Sequence, residues 1–340
     1  MKILIVKLSS LGDVVHAMPA VQDMVRALPK AQIDWVVERA FAPLVRRCKG
    51  INRVIPCELR RWRKAPLSQE TRQSWRIFKA ELQQERYDAV IDLQGLSKSA
   101  LISWLAQLST TGQRYGLANQ TEGSSFEAPA RWVAHQAITL PTHIHALMRS
   151  RDLCAQALHY AVPLNISFGL VAIAVKAPPA TIHIANENNL KGLVAFVHGT
   201  SRADKQWPVA HWQVLAQRLN AAGYAVVLPH GSDVEEQMAN QIAQNLPFAQ
   251  VWPRLTLDTL ADALAACTGV IGVDSGISHI AVALDLPHVQ IYNFDTAWRT
   301  GPLAPGRSRQ CSVFAQAAPS VDAVWQAWLK VLSTPPSGVA

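Results

Sequence analysis

Short, largely β-branched apolar runs recur along this chain, each followed by a small or polar loop and then by a segment with helical periodicity. Lys2 to Val6 is the first, with Ile3, Leu4, Ile5 and Val6 consecutive. Runs this brief are too short for buried helices and suit strands covered on both faces. The loop Lys7-Leu8-Ser9-Ser10-Leu11-Gly12-Asp13-Val14-Val15-His16 leads into a helical pattern containing Pro19. The alternation continues through a strand at Ile33–Val37, a helix at Phe41–Cys48, a short strand at Val54-Ile55 and a helix at Glu70–Glu85. Next come a strand at Tyr87–Leu93 and helices at Ser97–Leu108 and Arg149–Tyr160. Such a pattern predicts an α/β protein with a parallel, doubly wound sheet. Residues 109–145 interrupt it with Gly, Ser, Thr, Asn and Pro and yield no clear elements.

Leu164 to Asn189 is irregular, contains Pro178-Pro179, and reads as a domain boundary. Alternation then restarts, with strands at Leu193–His198, Tyr224–Pro229, Gly269–Val273 and Val289–Tyr292. Helices are expected at Val209–Ala222, Val234–Asn245, Thr256–Cys267 and Ile280–Leu284. The expectation is two Rossmann-like domains, 1–175 and 190–340, which suits a length of 340 residues.

Hydrophobic residues make up 49% of the chain and charged residues 16%, enough apolar surface for large cores and too little charge for disorder. No apolar run approaches the ~18 residues of a membrane span, and no secretory signal is visible. Cys48, Cys57, Cys154, Cys267 and Cys311 are scattered without a CxxC, which predicts reduced thiols in a cytoplasmic protein, with no zinc site. The net charge of +8 is uneven. Residues 26–98 hold 16 Lys or Arg against 8 Asp or Glu, whereas residues 187–340 hold 9 against 11. A basic first half points to nucleic acid, an anionic membrane surface or a polyanionic substrate. Its densest part, Arg60-Arg61-Trp62-Arg63-Lys64, reads as a loop between strands. That loop is either solvated or anion-binding, with Trp62 as an apolar or membrane-facing anchor.

In open α/β sheets ligands collect at the carboxyl ends of strands. Asp13 stands at such a place, as a helix N-cap or as a general base, with His16 one turn further on. In the second half, Thr200, Ser201 and Lys205 offer two hydroxyls and an ammonium to phosphate oxygens. Asp274-Ser275-Gly276 opens a helix whose N-terminus suits phosphate, and His279 lies about a turn beyond. Glu235 could take both hydroxyls of a ribose. Each residue alone has a capping or surface explanation; their joint placement at strand ends favours a site. His135, His143 and His145 lack metal-ligand spacing and read as surface residues. Neither GxGxxG nor GxxxxGK[ST] occurs, which counts against a dinucleotide-dependent dehydrogenase and a P-loop NTPase. No Asp-x-Asp pair is available to hold a metal on a diphosphate.

Five stretches together resemble glycosyltransferase family 9, the heptosyltransferases of lipopolysaccharide core synthesis. They are Lys7–Asp13, Arg60–Lys64, Asp92-Leu93-Gln94-Gly95-Leu96-Ser97-Lys98-Ser99, His198–Pro208 and Val273–His279. The resemblance runs through nearly the whole chain. It implies the GT-B fold, two Rossmann-like domains facing a central cleft. It also implies transfer of heptose, with inversion and with neither an obligatory metal nor a cofactor, from ADP-heptose to a Kdo residue of Kdo-lipid A. That places the chain in inner-core synthesis, peripheral on the cytoplasmic side of the inner membrane. The Arg-Arg-Trp block and the loop around Gly12-Asp13 favour the branch that adds the first heptose over the second. By this resemblance Asp13 takes the acceptor hydroxyl proton, while Lys205, Thr200 and Ser201 bind the donor diphosphate. Glu235 binds the ribose, and Leu255 sits where a backbone contact to adenine is expected. Asp274, Ser275 and Gly276 hold the heptose and phosphates, with His279 near them. Arg60, Arg61, Arg63 and Lys64 match the anionic acceptor. The chain departs from the family in Ser201 and Ser275, each in place of Thr, in Leu255 in place of a thioether side chain, and in Thr121-Glu122-Gly123 in place of Arg-Glu-Pro. The alternatives are another family 9 enzyme with a different donor or acceptor, and a basic nucleic-acid-binding module. The latter leaves Asp13, Lys205 and Asp274–His279 unexplained.

Overall fold

The computed structural model describes residues 1–174, 190–303 and 309–334. The chain divides into two units, Met1–Val171 and Ala172–Ala340. Pro178-Pro179 of the expected boundary segment lies outside the described residues.

The first unit holds β1 (Lys2–Val6), β2 (Gln32–Glu38), β3 (Ile51–Cys57), β4 (Arg86–Asp92), β5 (Gln107–Leu117) and β6 (Gln136–Ile138). The second holds β7 (Gly192–Val197), β8 (Tyr224–Leu228), β9 (Ala249–Val251), β10 (Gly269–Val273), β11 (His288–Tyr292) and β12 (Gln310–Phe314). The strand orders are β3-β2-β1-β4-β5-β6 and β12-β11-β10-β7-β8-β9, and every pairing is parallel. Each sheet therefore starts in its middle, winds to one edge, returns and winds to the other. The order reverses between β1 and β4 in one sheet and between β7 and β10 in the other, the places where a doubly wound sheet opens a ligand crevice.

The apolar runs act as expected: Ile3, Leu4, Ile5 and Val6 are fully buried. Helix Leu11–Ala27 buries Val14, Val15, Met18 and Val21 along one side, an i, i+3, i+4 stripe. Helix Ala146–Leu158 packs beside it. The two are pinned by a buried fork in which Arg151 Nε and Nη2 lie 2.6 and 3.1 Å from the Asp23 oxygens. In the second unit the core is aromatic. Trp212 lies against Phe196 at 4.8 Å and Trp207 at 4.9 Å between ring centres.

Several elements differ from the sequence reading. β5 runs through Ser109-Thr110-Thr111-Gly112-Gln113, where no strand was expected. Only three of its eleven positions are buried, so its sequence carries little apolar signal, and pairing with β4 makes it a strand. Gly112 is required there, because a Cβ would meet the Tyr87 carbonyl at 2.4 Å. The expected loop at Arg60–Lys64 is a helix, Leu59–Lys64. The helix read as starting at Ile280 begins at Gly276, capped by Ser275. β12 and helix Val321–Leu332 had no counterpart in the reading, although Val324, Trp328 and Val331 form a fully buried i, i+4, i+7 stripe. No helix among the described residues is long and apolar enough to cross a membrane.

Candidate active site

In the first unit the site is built on the loop after β1. Helix Leu11–Ala27 is capped by Ser10, so Asp13 is not the N-cap but the third helical residue. Asp13 Oδ2 accepts from the Ser10 backbone N–H at 3.1 Å and from Ser10 Oγ at 2.9 Å. This return half of a capping box fixes the carboxylate. Its other oxygen, Oδ1, faces two cations: Lys7 Nζ at 3.7 Å and Arg149 Nη2 at 3.4 Å. The side chain remains 34% exposed, open on one side. Burial pushes the Asp13 carboxyl up, but Lys7, then Arg149, then the two Ser10 hydrogen bonds outweigh it and hold it at about 2.

The sequence reading assigned no role to these cations. Arg149 lies on helix Ala146–Leu158, far away in sequence, and is aimed by Thr121 Oγ1, which accepts from Nη1 at 3.1 Å. Thr121 stands at the point where the chain departs from the family pattern. Lys7 is buried at 2% exposure, and Nζ donates to the Leu93 carbonyl at 3.0 Å. Burial lowers its pKa. Beyond it Asp92, at the end of β4, accepts from the N–H groups of Gln94 and Gly95 at 2.8 and 3.1 Å. Burial pushes the Asp92 carboxyl up to about 6 despite those bonds, the one from Ser99 and the charge of Lys7. A lysine in a loop motif is an ordinary surface residue by composition; only the β1–β4 pairing shows that it is enclosed. His145 is also not a surface residue. It is buried, caps helix Ala146–Leu158 through Nδ1, and meets the buried His16 ring at 5.7 Å. His135 and His143 are exposed.

Helix Leu59–Lys64 turns Arg60, Arg61, Arg63 and Lys64 to solvent and Trp62 inward. Trp62 is 6% exposed, donates to Ser74 Oγ and packs on Trp75 and Phe78 at 5.2 and 5.4 Å between ring centres. It is a core residue and not the membrane-facing anchor that the sequence allowed. Arg61 is shared with Glu58 at 3.3 Å and Glu70 at 3.5 Å. A groove of about 470 Å³ opens beside this helix, lined by Arg60, Arg63, Arg72 and Lys98 over Trp62 and Trp75. Lys98 Nζ also donates to Ser9 Oγ at 3.2 Å, so the groove and the Asp13 loop share a cation.

The second unit gathers most of its expected residues at the β7–β10 reversal. Asp274, at the end of β10, is a hub. Its Oδ2 lies 2.6 Å from Lys205 Nζ, and its Oδ1 lies 3.2 Å from Thr300 Oγ1 and 3.5 Å from His279 Nε2. Its carbonyl accepts from Thr200 Oγ1 at 3.3 Å. Burial pushes the Asp274 carboxyl up, but the hydrogen bond and charge of His279 and then Lys205 hold it well below the usual carboxylate range. Lys205 and Asp274 therefore address each other as well as any ligand, a pairing that the sequence did not show. Ser275 caps helix Gly276–Ala283, whose first N–H groups lie beside this cluster. Glu235, on helix Asp233–Ala243, accepts from the Gly231 N–H at 2.7 Å. It lies against Gly199, where a Cβ would come within 2.6 Å of its carboxyl carbon. Two expected residues stand outside this network among the described residues: Ser201, exposed on the loop after β7, and Leu255, half-buried between β9 and helix Leu257–Ala265.

Two doubly wound units, each with its polar cluster at the strand-order reversal, define a glycosyltransferase of the GT-B class. The chain belongs to Glycosyltransferase family 9 (heptosyltransferase), whose sequence model matches residues 75–326. It is 38% identical over 307 residues to lipopolysaccharide heptosyltransferase 1 of Escherichia coli K12, covering 90% of this chain and 89% of that protein. It is likewise 38% identical over 308 residues to lipopolysaccharide heptosyltransferase 1 of Pseudomonas aeruginosa, covering 90% and 80%. The structure of E. coli heptosyltransferase WaaC with ADP superposes with a TM-score of 0.81 at 32% identity, over 96% of this chain and 98% of that one. The same enzyme with ADP-2-deoxy-2-fluoro heptose gives 0.78 at 33% over the same shares.

Proposed function

We propose that this enzyme transfers heptose from ADP-heptose to a Kdo residue of Kdo-lipid A, with inversion, in lipopolysaccharide inner-core synthesis. The observation that carries the mechanism is the Asp13 carboxylate, partly open to solvent and held ionised by Lys7 and Arg149. The acceptor hydroxyl bonds to the anomeric carbon, the bond from that carbon to the ADP phosphate oxygen breaks, and ADP departs with the electron pair. Asp13 receives the hydroxyl proton. A carboxylate of such low basicity takes little proton from a resting alcohol. Transfer belongs late in the step, when bonding to carbon has made the proton acidic.

The second unit suits the donor. Lys205, Thr200 and the N–H groups at Ser275-Gly276 neutralise the diphosphate as it leaves, so the reading calls for no metal. Asp274 keeps the Lys205 ammonium and His279 in place. Glu235 takes the ribose, with Ser201 and the Leu255 backbone as further donor contacts. Arg60, Arg63 and Lys64, with Arg61 in part, take the carboxylates and phosphates of the acceptor. The protein acts at the cytoplasmic side of the inner membrane. The test is turnover of ADP-heptose with Kdo-lipid A, followed by ADP release and product mass. A wild-type enzyme that releases ADP only with a different acceptor sugar would move it to another branch of the family.

A further inference from the structure

The structure buries Trp62, but leaves Trp104 61% and Trp132 77% exposed, with Leu101 at 44%. The other exposed apolar groups on the page are aliphatic or single rings; two large tryptophans this open to water are unusual in a folded protein and mark contact surfaces. They are also neighbours. Leu101 and Trp104 lie on helix Ser97–Leu105, an i, i+3 pair on its outer face, and Trp132 lies on helix Ala128–Val133. At one end the two helices are tied by Glu127, the residue just before the second, whose carboxylate accepts from the Ser97 backbone N–H at 2.7 Å. At the other end Arg114 Nη2 donates to the Trp104 carbonyl at 3.1 Å, while Nη1 lies 3.4 Å from His135, just beyond the second helix. The helices thus run side by side in the same direction, with Trp104 and Trp132 both near their far ends. Exposed Arg131 and His135 flank Trp132. At the near end Lys98 reaches into the basic groove that holds Arg60 and Arg63.

We propose that the face carrying Leu101, Trp104 and Trp132 docks on the surface of an anionic lipid bilayer. Indole rings with Arg131 beside one of them and Lys98 on the helix of the other are a composition that settles at the level of lipid headgroups, where one side is apolar and the other wet and negatively charged. The face continues through Lys98 into the groove assigned to the anionic acceptor, so docking here presents that groove to a headgroup in the same membrane. The inference rests on the proposed acceptor being a membrane lipid, and its test separates the two.

The experiment uses the full chain with Trp104→Ser and Trp132→Ser, singly and together. Binding is read by co-sedimentation with vesicles of phosphatidylethanolamine and phosphatidylglycerol, and with phosphatidylcholine vesicles as the neutral arm. Half-burying an indole at an interface corresponds to about a 10-fold change in affinity per residue. The double variant should therefore lose anionic-vesicle binding by about 100-fold. Its use of Kdo-lipid A embedded in those vesicles should fall with it, while kcat/KM with a water-soluble Kdo glycoside stays at the wild-type value. Unchanged vesicle binding by the double variant overturns the proposal, as does an equal loss of activity on soluble and embedded acceptors. So does a wild-type dimer that dissociates on these substitutions without change in lipid binding, since the face then serves a second copy. A wild type inactive on both acceptors defeats the function reading itself, while loss of anionic-vesicle binding in the variants would still support the docking face.

Discussion

Lys205 and Asp274 present a test in which stability and activity should separate. Lys205→Met keeps the aliphatic stem and removes the ammonium 2.6 Å from Asp274 Oδ2. Asp274 is 5% exposed, so its charge then has to be held by His279, Thr300 and the loop dipoles. Breaking a fully buried pair costs about 3–5 kcal/mol. Here Lys205 is 18% exposed and Asp274 keeps other partners, so about 1–3 kcal/mol is expected. For a unit of this size that lowers Tm by roughly 3–10 °C. The double variant Lys205→Met/Asp274→Asn removes the stranded charge as well and should regain most of the loss. Donor use should not recover. Without the ammonium, kcat/KM for ADP-heptose should fall by about 2–4 kcal/mol in transition-state terms in both variants. Thermal melts paired with steady-state kinetics and calorimetric ADP titration read both effects. Donor kinetics near wild type in either variant would refute the assignment of Lys205 to the diphosphate. A double variant no more stable than the single would refute the buried-pair argument.

Two further outcomes follow from the first unit. Asp13 must be ionised to act, so activity is lost as pH falls through its folded pKa of about 2, below the usual assay range. Lys7→Met/Arg149→Met leaves burial to dominate and should bring an acid limb into the kcat/KM profile above about pH 4; coincident profiles for variant and wild type would show that these cations do not tune the carboxylate. Reversing Arg60 and Arg63 to Glu should raise the acceptor KM by about 10-fold or more and leave ADP affinity nearly unchanged. Calorimetry showing an equal loss of ADP binding would break the division of labour between the units.

Much of this site was legible in the sequence because its residues follow strands, and strand ends in doubly wound sheets are fixed by apolar runs that are easy to read. Asp13, Lys205, Glu235 and Asp274 could be placed in that way as candidates, although each alone also had a capping or surface explanation. What escaped depends on tertiary pairing. β5 is polar along most of its length and is a strand only because β4 pairs with it. Lys7 is enclosed only because β1 lies beside β4. Arg149 reaches Asp13 from 136 positions away, and no local pattern links the two. The inward turn of Trp62 was hidden for a related reason. Four flanking cations dominate its local composition, while the rings that cover it come from Trp75 and Phe78 on the following helix, Gln69–Leu82.

The most direct measurement is kcat of Asp13→Asn with ADP-heptose and Kdo-lipid A, on protein checked by mass spectrometry for deamidation back to Asp. Asn retains an oxygen that can accept from the Ser10 N–H, so the helix start is preserved. Loss of the two ionic contacts, to buried Lys7 and to Arg149, from a carboxylate that is itself 34% exposed should cost about 1–3 kcal/mol of stability. With the fold and ADP affinity close to wild type, loss of the base should lower kcat by on the order of 10²–10⁴. A correctly folded Asp13→Asn enzyme with wild-type kcat would contradict the account and leave Asp13 as a capping residue only.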